Sequence, residues 1–270
     1  MNQIGFANSA MRQCSLLLFV STPTEEQELE NVVRKHDLLF EKNKHPTLGE
    51  YHWLGTVGHE TVIAIRPVRD RGQVVMGEMG RLGSAARGIQ FREATGAIGI
   101  VQVGMAFGID STSQKLGDVL VATSLIPYDN RIVRAAHPNY ITDYSQATRQ
   151  DARPALVALF GRERKRGKHS FGVHMGAILS GAARIQSRIF RDELVMGVPD
   201  GEDAIVGGEM ESVGLLAATT SADDPIWCVV KGISDFADEN RDTTIATARP
   251  LACRNAAEFV LSALLNDVIN

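Results

Sequence analysis

Ile226-Trp227-Cys228-Val229-Val230, followed by Gly232-Ile233-Ser234-Asp235-Phe236-Ala237-Asp238, is a continuous apolar run bounded by Asp223-Asp224-Pro225 on one side and Gly232 on the other. A short run without polar alternation predicts a strand buried on both faces, as in a parallel sheet covered by helices. Asp235 then falls at the carboxyl end of that strand, where α/β sheets gather their ligands. Upstream, Glu209-Met210-Glu211 precedes Val213, Gly214, Leu216, Ala217 and Ala218 at spacings near three and four, which predicts a helix over 210–219. Glu211 is expected in its first turn, where free N–H groups and the macrodipole favour an ionised carboxylate.

Working outward, similar apolar runs predict strands at 16–20, 62–65, 98–103, 119–122 and 176–179. Helical periodicity lies between them at 26–39, 84–93, 153–160 and 250–265, the last with Pro250 at its first position. This alternation predicts an α/β fold, a single three-layer α/β/α sandwich around a central mixed sheet. No internal repeat or linker marks a second unit, so residues 1–13 read as an N-terminal extension and 14–270 as one domain. The basic run 162–168 reads as a solvated loop after a helix.

At 270 residues, with 44% hydrophobic and 22% charged, the composition is that of one large globular core. A net charge of −4 argues against a dedicated nucleic-acid binder. Cys14, Cys228 and Cys253 are scattered without metal-ligand spacing, which fits a reducing cytoplasm and implies no metal. Residues 15–20 are too short an apolar run to span a membrane.

Four segments in order resemble the nucleoside phosphorylase and nucleosidase superfamily, which includes the methylthioadenosine/S-adenosylhomocysteine nucleosidases. They are Ser21-Thr22-Pro23-Thr24-Glu25, the segment 103–110 with 116–121, Ile178-Leu179-Ser180-Gly181, and the pair formed by Glu209-Met210-Glu211 and Ser234-Asp235. Within that superfamily, the strings at 103–110, 116–122, 207–218 and 229–238 look most like phosphorylase-type effector domains of bacterial antiphage systems.

The resemblance implies cleavage of a purine N-glycosidic bond, with adenine as the expected base and no cofactor. Asp235 would protonate purine N7 and Ser234 would orient it, work that needs a carboxylic acid with a raised pKa. Glu209, Met210 and Glu211 would hold the ribose, with Glu211 accepting from its hydroxyls. Glu25 would activate water, Glu26 being the neighbouring alternative. Gly104, Met105 and Ala106 would form the loop against the sugar. Arg184 and Ile185 replace the aromatic-aliphatic pair that touches the base in nucleosidases. Gln102 and Met105 stand where phosphorylases keep an Arg and a Ser for phosphate, so water is the expected nucleophile. Arg66, Arg69, Arg71, Arg81 and Arg87, around a segment expected to approach the sugar, suggest a phosphorylated substrate such as ATP, with Arg81 as the substrate-binding candidate among them. The resemblance also implies a homo-oligomer. Restraint of such an activity would call for a regulatory protein partner. A phosphorylase, a methylthioadenosine/S-adenosylhomocysteine nucleosidase and a non-catalytic nucleoside sensor are the alternatives.

Overall fold

The computed structural model describes residues 11–66, 83–219 and 226–269. Its strands are β1 (Leu16–Phe19), β2 (Glu41–His45), β3 (Gly49–Val57), β4 (Glu60–Ile65), β5 (Gly99–Gly108), β6 (Val119–Pro127), β7 (Ile132–Ala136), β8 (Asn139–Asp143), β9 (Gln150–Asp151), β10 (Val173–Ser180), β11 (Ile205–Glu209) and β12 (Ile226–Asp235). Its helices are α1 (Pro23–Lys35), α2 (Ser84–Thr95), α3 (Pro154–Arg166), α4 (Arg188–Gly197), α5 (Ser212–Leu216) and α6 (Arg241–Asn266).

A mixed sheet forms the middle layer, with order β11-β10-β6-β12-β5-β1-β4-β3-β2 and β9 added beside β6. β1 shows how it is covered. Leu16 and Leu18 join a core with Val32 of α1, Phe160 of α3 and Phe259 of α6. Leu17 and Phe19 point the other way, to Phe91 of α2 and Leu215 of α5. Alternate residues of one buried strand thus feed two helical layers, which gives the α/β/α sandwich.

The sheet also closes on itself. β11 pairs antiparallel with β5 through Gly207–Gly108 and Gly208–Phe107, so β5, β11, β10, β6 and β12 form a ring. Glycine is required at this seam because a Cβ on Gly208 would run into the Phe107 ring and one on Gly207 into the Phe107 carbonyl. Phe107 pairs with Gly208 on one side and with Asp235 on the other. The closure therefore brings the end of β11 beside the end of β12.

Several boundaries differ from the sequence reading. β5 runs on through Gly104, Met105 and Ala106, which are strand residues rather than loop. Pairing with β12 over its whole length, Lys231 opposite Gly104 included, keeps that backbone extended. α6 begins nine residues before Pro250, which lies inside it. Proline deprives the Ala246 carbonyl of its partner, but Ala246 is exposed to water and the buried face of Ile245, Ala248, Ala252 and Cys253 holds the helix. The basic run is not a loop: residues 162–166 close α3, with Arg162 and Arg166 both on Asp267. α5 is only Ser212–Leu216. The strands β2 and β3 and the separate β7–β8 hairpin escaped the reading because their exposed or polar faces leave no continuous apolar run.

Candidate active site

β1 hands over to α1 at Thr22, whose hydroxyl accepts from the Glu25 N–H in a capping box. The Glu25 side chain turns back across the helix start, where Oε2 accepts from the Ser21 and Thr22 N–H groups at 2.6 and 2.7 Å. Its Oε1 accepts from the Met105 N–H at 3.0 Å. A carboxylate with three backbone donors is satisfied as an anion. Gly104 is what lets it reach, since a Cβ there would overlap the Glu25 carboxylate. Glu26, one residue on, faces away, pairing with Arg66 at 2.8 Å and His52 at 2.9 Å. Burial works against it, but the hydrogen bonds from His52 and Arg66 and the Arg66 charge hold its carboxyl below the usual range.

Lys231 is the residue the sequence reading passed over. It is fully buried on β12, with Nζ 3.3 Å from Glu211, 3.7 Å from Glu209 and 3.9 Å from Glu25. Burial alone would favour the neutral amine, but three carboxylates outweigh it and raise the Lys231 pKa. A lysine inside an otherwise apolar strand run was the available signal, because a buried ammonium demands partners.

The Glu209-Met210-Glu211 turn joins β11 to α5. Here Glu209, not the helix start as such, organises the backbone: its carboxylate accepts from the Glu211 N–H at 2.9 Å and from the Ser212 N–H at 3.0 Å. The expectation that Glu211 is kept ionised by a helix start is overturned. Its side chain makes no cap bond, and burial, opposed by Lys231 but reinforced by Glu209 and Glu25, pushes its carboxyl up to about 8.

Asp235 ends β12. Burial raises its pKa, while the Ala237 N–H at 2.9 Å, Arg241 at 3.5 Å and the Ser234 hydroxyl at 2.9 Å pull it back. The single Ser234 proton also lies within reach of the Ala106 carbonyl at 3.1 Å, tying the acid to β5. Ala237 adopts a left-handed φ of 52° to deliver its N–H to Asp235.

These groups surround one cleft of about 240 Å³, below the usual range for drug-sized ligands, roughly 300–1,000 Å³, and far from that of a polymer groove. Met105, Ala106, Glu209, Met210, Glu211, Ser234 and Asp235 line it, with Arg184 and Ile185 at its side. Thr22, Phe107, Arg241 and Arg249 also line it, and sequence reasoning did not single them out. Glu25 and Gly104 stand one layer back, behind the Met105 backbone. Arg66 and Arg87 are occupied elsewhere, Arg87 by the Leu48 carbonyl and the Phe91 ring. Arg69, Arg71 and Arg81 lie outside the described residues. No cluster of three or more His, Cys, Asp or Glu suited to a metal occurs among the described residues.

The sequence profile of the phosphorylase superfamily matches residues 16–269. The chain belongs to the phosphorylase superfamily. A death domain-containing ATP nucleosidase from Amphimedon queenslandica is 30% identical over 186 residues, 62% of this chain and 34% of that protein. The chain thus matches about a third of that relative's length. Among solved structures, the 5′-methylthioadenosine/S-adenosylhomocysteine nucleosidase of Neisseria meningitidis superposes with a TM-score of 0.70 at 17% identity, covering 93% of this chain and 99% of that one. The S-adenosylhomocysteine nucleosidase of Streptococcus pyogenes gives 0.69 at 21%, covering 96% and 100%. Futalosine hydrolase of Helicobacter pylori gives 0.68 at 17%, covering 94% and 97%. At such identities the structural likeness is one of fold. No helix among the described residues of this superfamily member is long and apolar enough to cross a membrane.

Proposed function

We propose that this phosphorylase-superfamily chain is an N-glycosidase that hydrolyses the glycosidic bond of a purine nucleoside or nucleotide and releases adenine. The observation that carries the reading is the convergence on one cleft of a buried Asp235, whose pKa burial raises, and the Glu209-Met210-Glu211 turn. Asp235 gives its proton to N7 of the base, the C1′–N9 bond breaks with its electron pair passing to the base, and water bonds to C1′. Glu25, held beside Lys231, takes the proton lost by that water. Glu211 and Met210 hold the sugar, and the surrounding carboxylates favour the positive charge that develops on it.

Hydrolysis rather than phosphorolysis is supported by what surrounds the nucleophile. Gln102 is buried and committed at both ends, donating to the Ser21 hydroxyl at 3.1 Å and accepting from the Ser212 hydroxyl at 3.1 Å. The Met105 N–H is spent on Glu25, so neither position is left to hold phosphate.

Two readings of the 5′ end follow from different observations. The solved nucleosidases that share this fold favour a methylthioadenosine or S-adenosylhomocysteine type of substrate. The ATP nucleosidase relative and the arginines lining the cleft favour a nucleotide such as ATP. An antiphage role rests on motif wording alone; protection of cells by the wild-type chain but not by Asp235→Asn would support it. The homo-oligomer is likewise a proposal, which light scattering decides.

The decisive assay incubates the chain with adenosine, AMP, ATP and methylthioadenosine, with and without inorganic phosphate, and follows free adenine and the sugar product. Adenine with an unphosphorylated C1′ hydroxyl is the expected outcome. Turnover only with phosphate, yielding ribose 1-phosphate, would replace hydrolysis by phosphorolysis, and binding without any base release would leave a sensor.

A further inference from the structure

Four arginines or lysines touch or back the cleft, and two of them are accounted for. Lys231 is balanced by three carboxylates, and Arg241 faces Asp235 at 3.5 Å and Asp242 at 3.7 Å. Arg184 and Arg249 line the same cleft and form no ion pair or side-chain hydrogen bond with any described residue. Arg184 is exposed at the rim, whereas the Nε of Arg249 is buried without a partner. A guanidinium N–H removed from water and left unpaired is costly, so such a group calls for an explanation.

Helix geometry fixes where Arg249 stands. Positions 241, 245, 249 and 253 recur every four residues and share one face of α6. Arg241 meets Asp235 at one end of that face. At the other, Cys253 lies close enough to the carboxylate cluster for both Glu25 and Lys231 to act on its thiol. Arg249 lies between them along the helix, lines the cleft and is near enough to act on the Cys253 thiol.

We propose that Arg249 forms a phosphate subsite in this cleft, reading a phosphate attached to the 5′ carbon of the substrate, with Arg184 adding positive field from the rim. The inference rests on the nucleosidase reading above and specifies its substrate class. A thioether or hydroxyl leaves Arg249 unpaired, while phosphate oxygens match the guanidinium fork. The amino-acid tail of S-adenosylhomocysteine is a poorer fit, because its ammonium would approach two uncompensated cations.

The test compares wild type, Arg249→Gln and Arg249→Lys on AMP, adenosine and S-adenosylhomocysteine, each with and without inorganic phosphate. AMP is expected to have the lowest KM. Arg249→Gln should raise KM for AMP about ten- to hundredfold, the range of a lost charged hydrogen bond, while adenosine stays within about twofold. Arg249→Lys should recover part of the loss. Equal losses on AMP and adenosine, or a selective loss on S-adenosylhomocysteine, overturn the subsite. If free phosphate stimulates adenosine cleavage and Arg249→Gln removes that stimulation, the phosphate is the nucleophile's and the 5′ assignment is overturned. Calorimetric binding of AMP against adenosine keeps the two readings separable. A chain that cleaves nothing yet binds AMP more tightly, through Arg249, refutes the nucleosidase but retains the subsite.

Discussion

At one end of the cleft, three buried glutamates lie within 3.9 Å of the Lys231 ammonium, whereas at the other Asp235 faces a single arginine at 3.5 Å. At the first end every Glu25 oxygen accepts a backbone N–H, and the Lys231 ammonium donates to Glu211. At the second, burial raises the Asp235 pKa while the Ala237 N–H, Arg241 and Ser234 pull it back, and the proposed reaction draws its proton from this carboxyl. In that proposal the carboxyl groups of the two ends do opposite work, set by their surroundings rather than their chemistry.

Asp235→Asn is the harshest test of that contrast. It keeps the shape of the base end but removes the proton, and kcat should fall by about 10²–10⁴-fold, the usual worth of a general acid, with substrate binding preserved. Rapid-quench turnover alongside calorimetric binding checks both halves. An Asn variant that turns over at the wild-type rate would show that the base end donates no proton and that the two ends do not differ in function.

Lys231→Met attacks the other end. Removing one member of a buried ion cluster costs about 3–5 kcal/mol because the remaining charges stay buried without compensation. Denaturant melts should show that loss, and Lys231→Arg should recover part of it. A Met variant as stable as wild type would mean that the glutamates neutralise themselves by taking up protons. Gly104→Ala is milder and more local. The added methyl must displace the Glu25 carboxylate, a change of about 1–3 kcal/mol for an overpacked site. Turnover should fall with little change in substrate KM, and full activity would place Glu25 outside the reaction.

The two ends also differed in how far the sequence disclosed them. Asp235 was legible because an apolar run with a clear stop puts its last residues at a strand end, and β12 does end there. The helices α1, α2 and α3 and the strands β1, β4, β5, β6 and β10 were legible for the same reason, an apolar period that burial enforces, whereas β11 was not. The other end was not. Lys231 looks like a break in a hydrophobic run until Glu25, Glu209 and Glu211 arrive from two other segments, and their arrival depends on the Gly207-Gly208 seam that closes the ring. No local period encodes a contact between residues 25, 209 and 231. Arg249 was hidden differently, since reading Pro250 as a helix start left residues 241–249 outside the helix that aims it.

The smallest expected effect concerns pH. In the folded chain burial holds the proton on Glu211 up to about 8, against the ordinary glutamate value of 4.5. Between those values the folded state binds more protons than the unfolded one, so this group's contribution makes stability fall as pH rises through the window and level off above it. Lys231 at 3.3 Å meets part of the charge that develops, which keeps the slope shallow. Glu211→Gln removes the titration while preserving the shape, so thermal melts from pH 5 to 9 should be flatter for the variant, with Tm above wild type at the alkaline end by about 2–4 °C for each kcal/mol relieved. Parallel curves for the two proteins would mean that Glu211 is ionised throughout, and that the glutamate end carries one more negative charge than its burial allows.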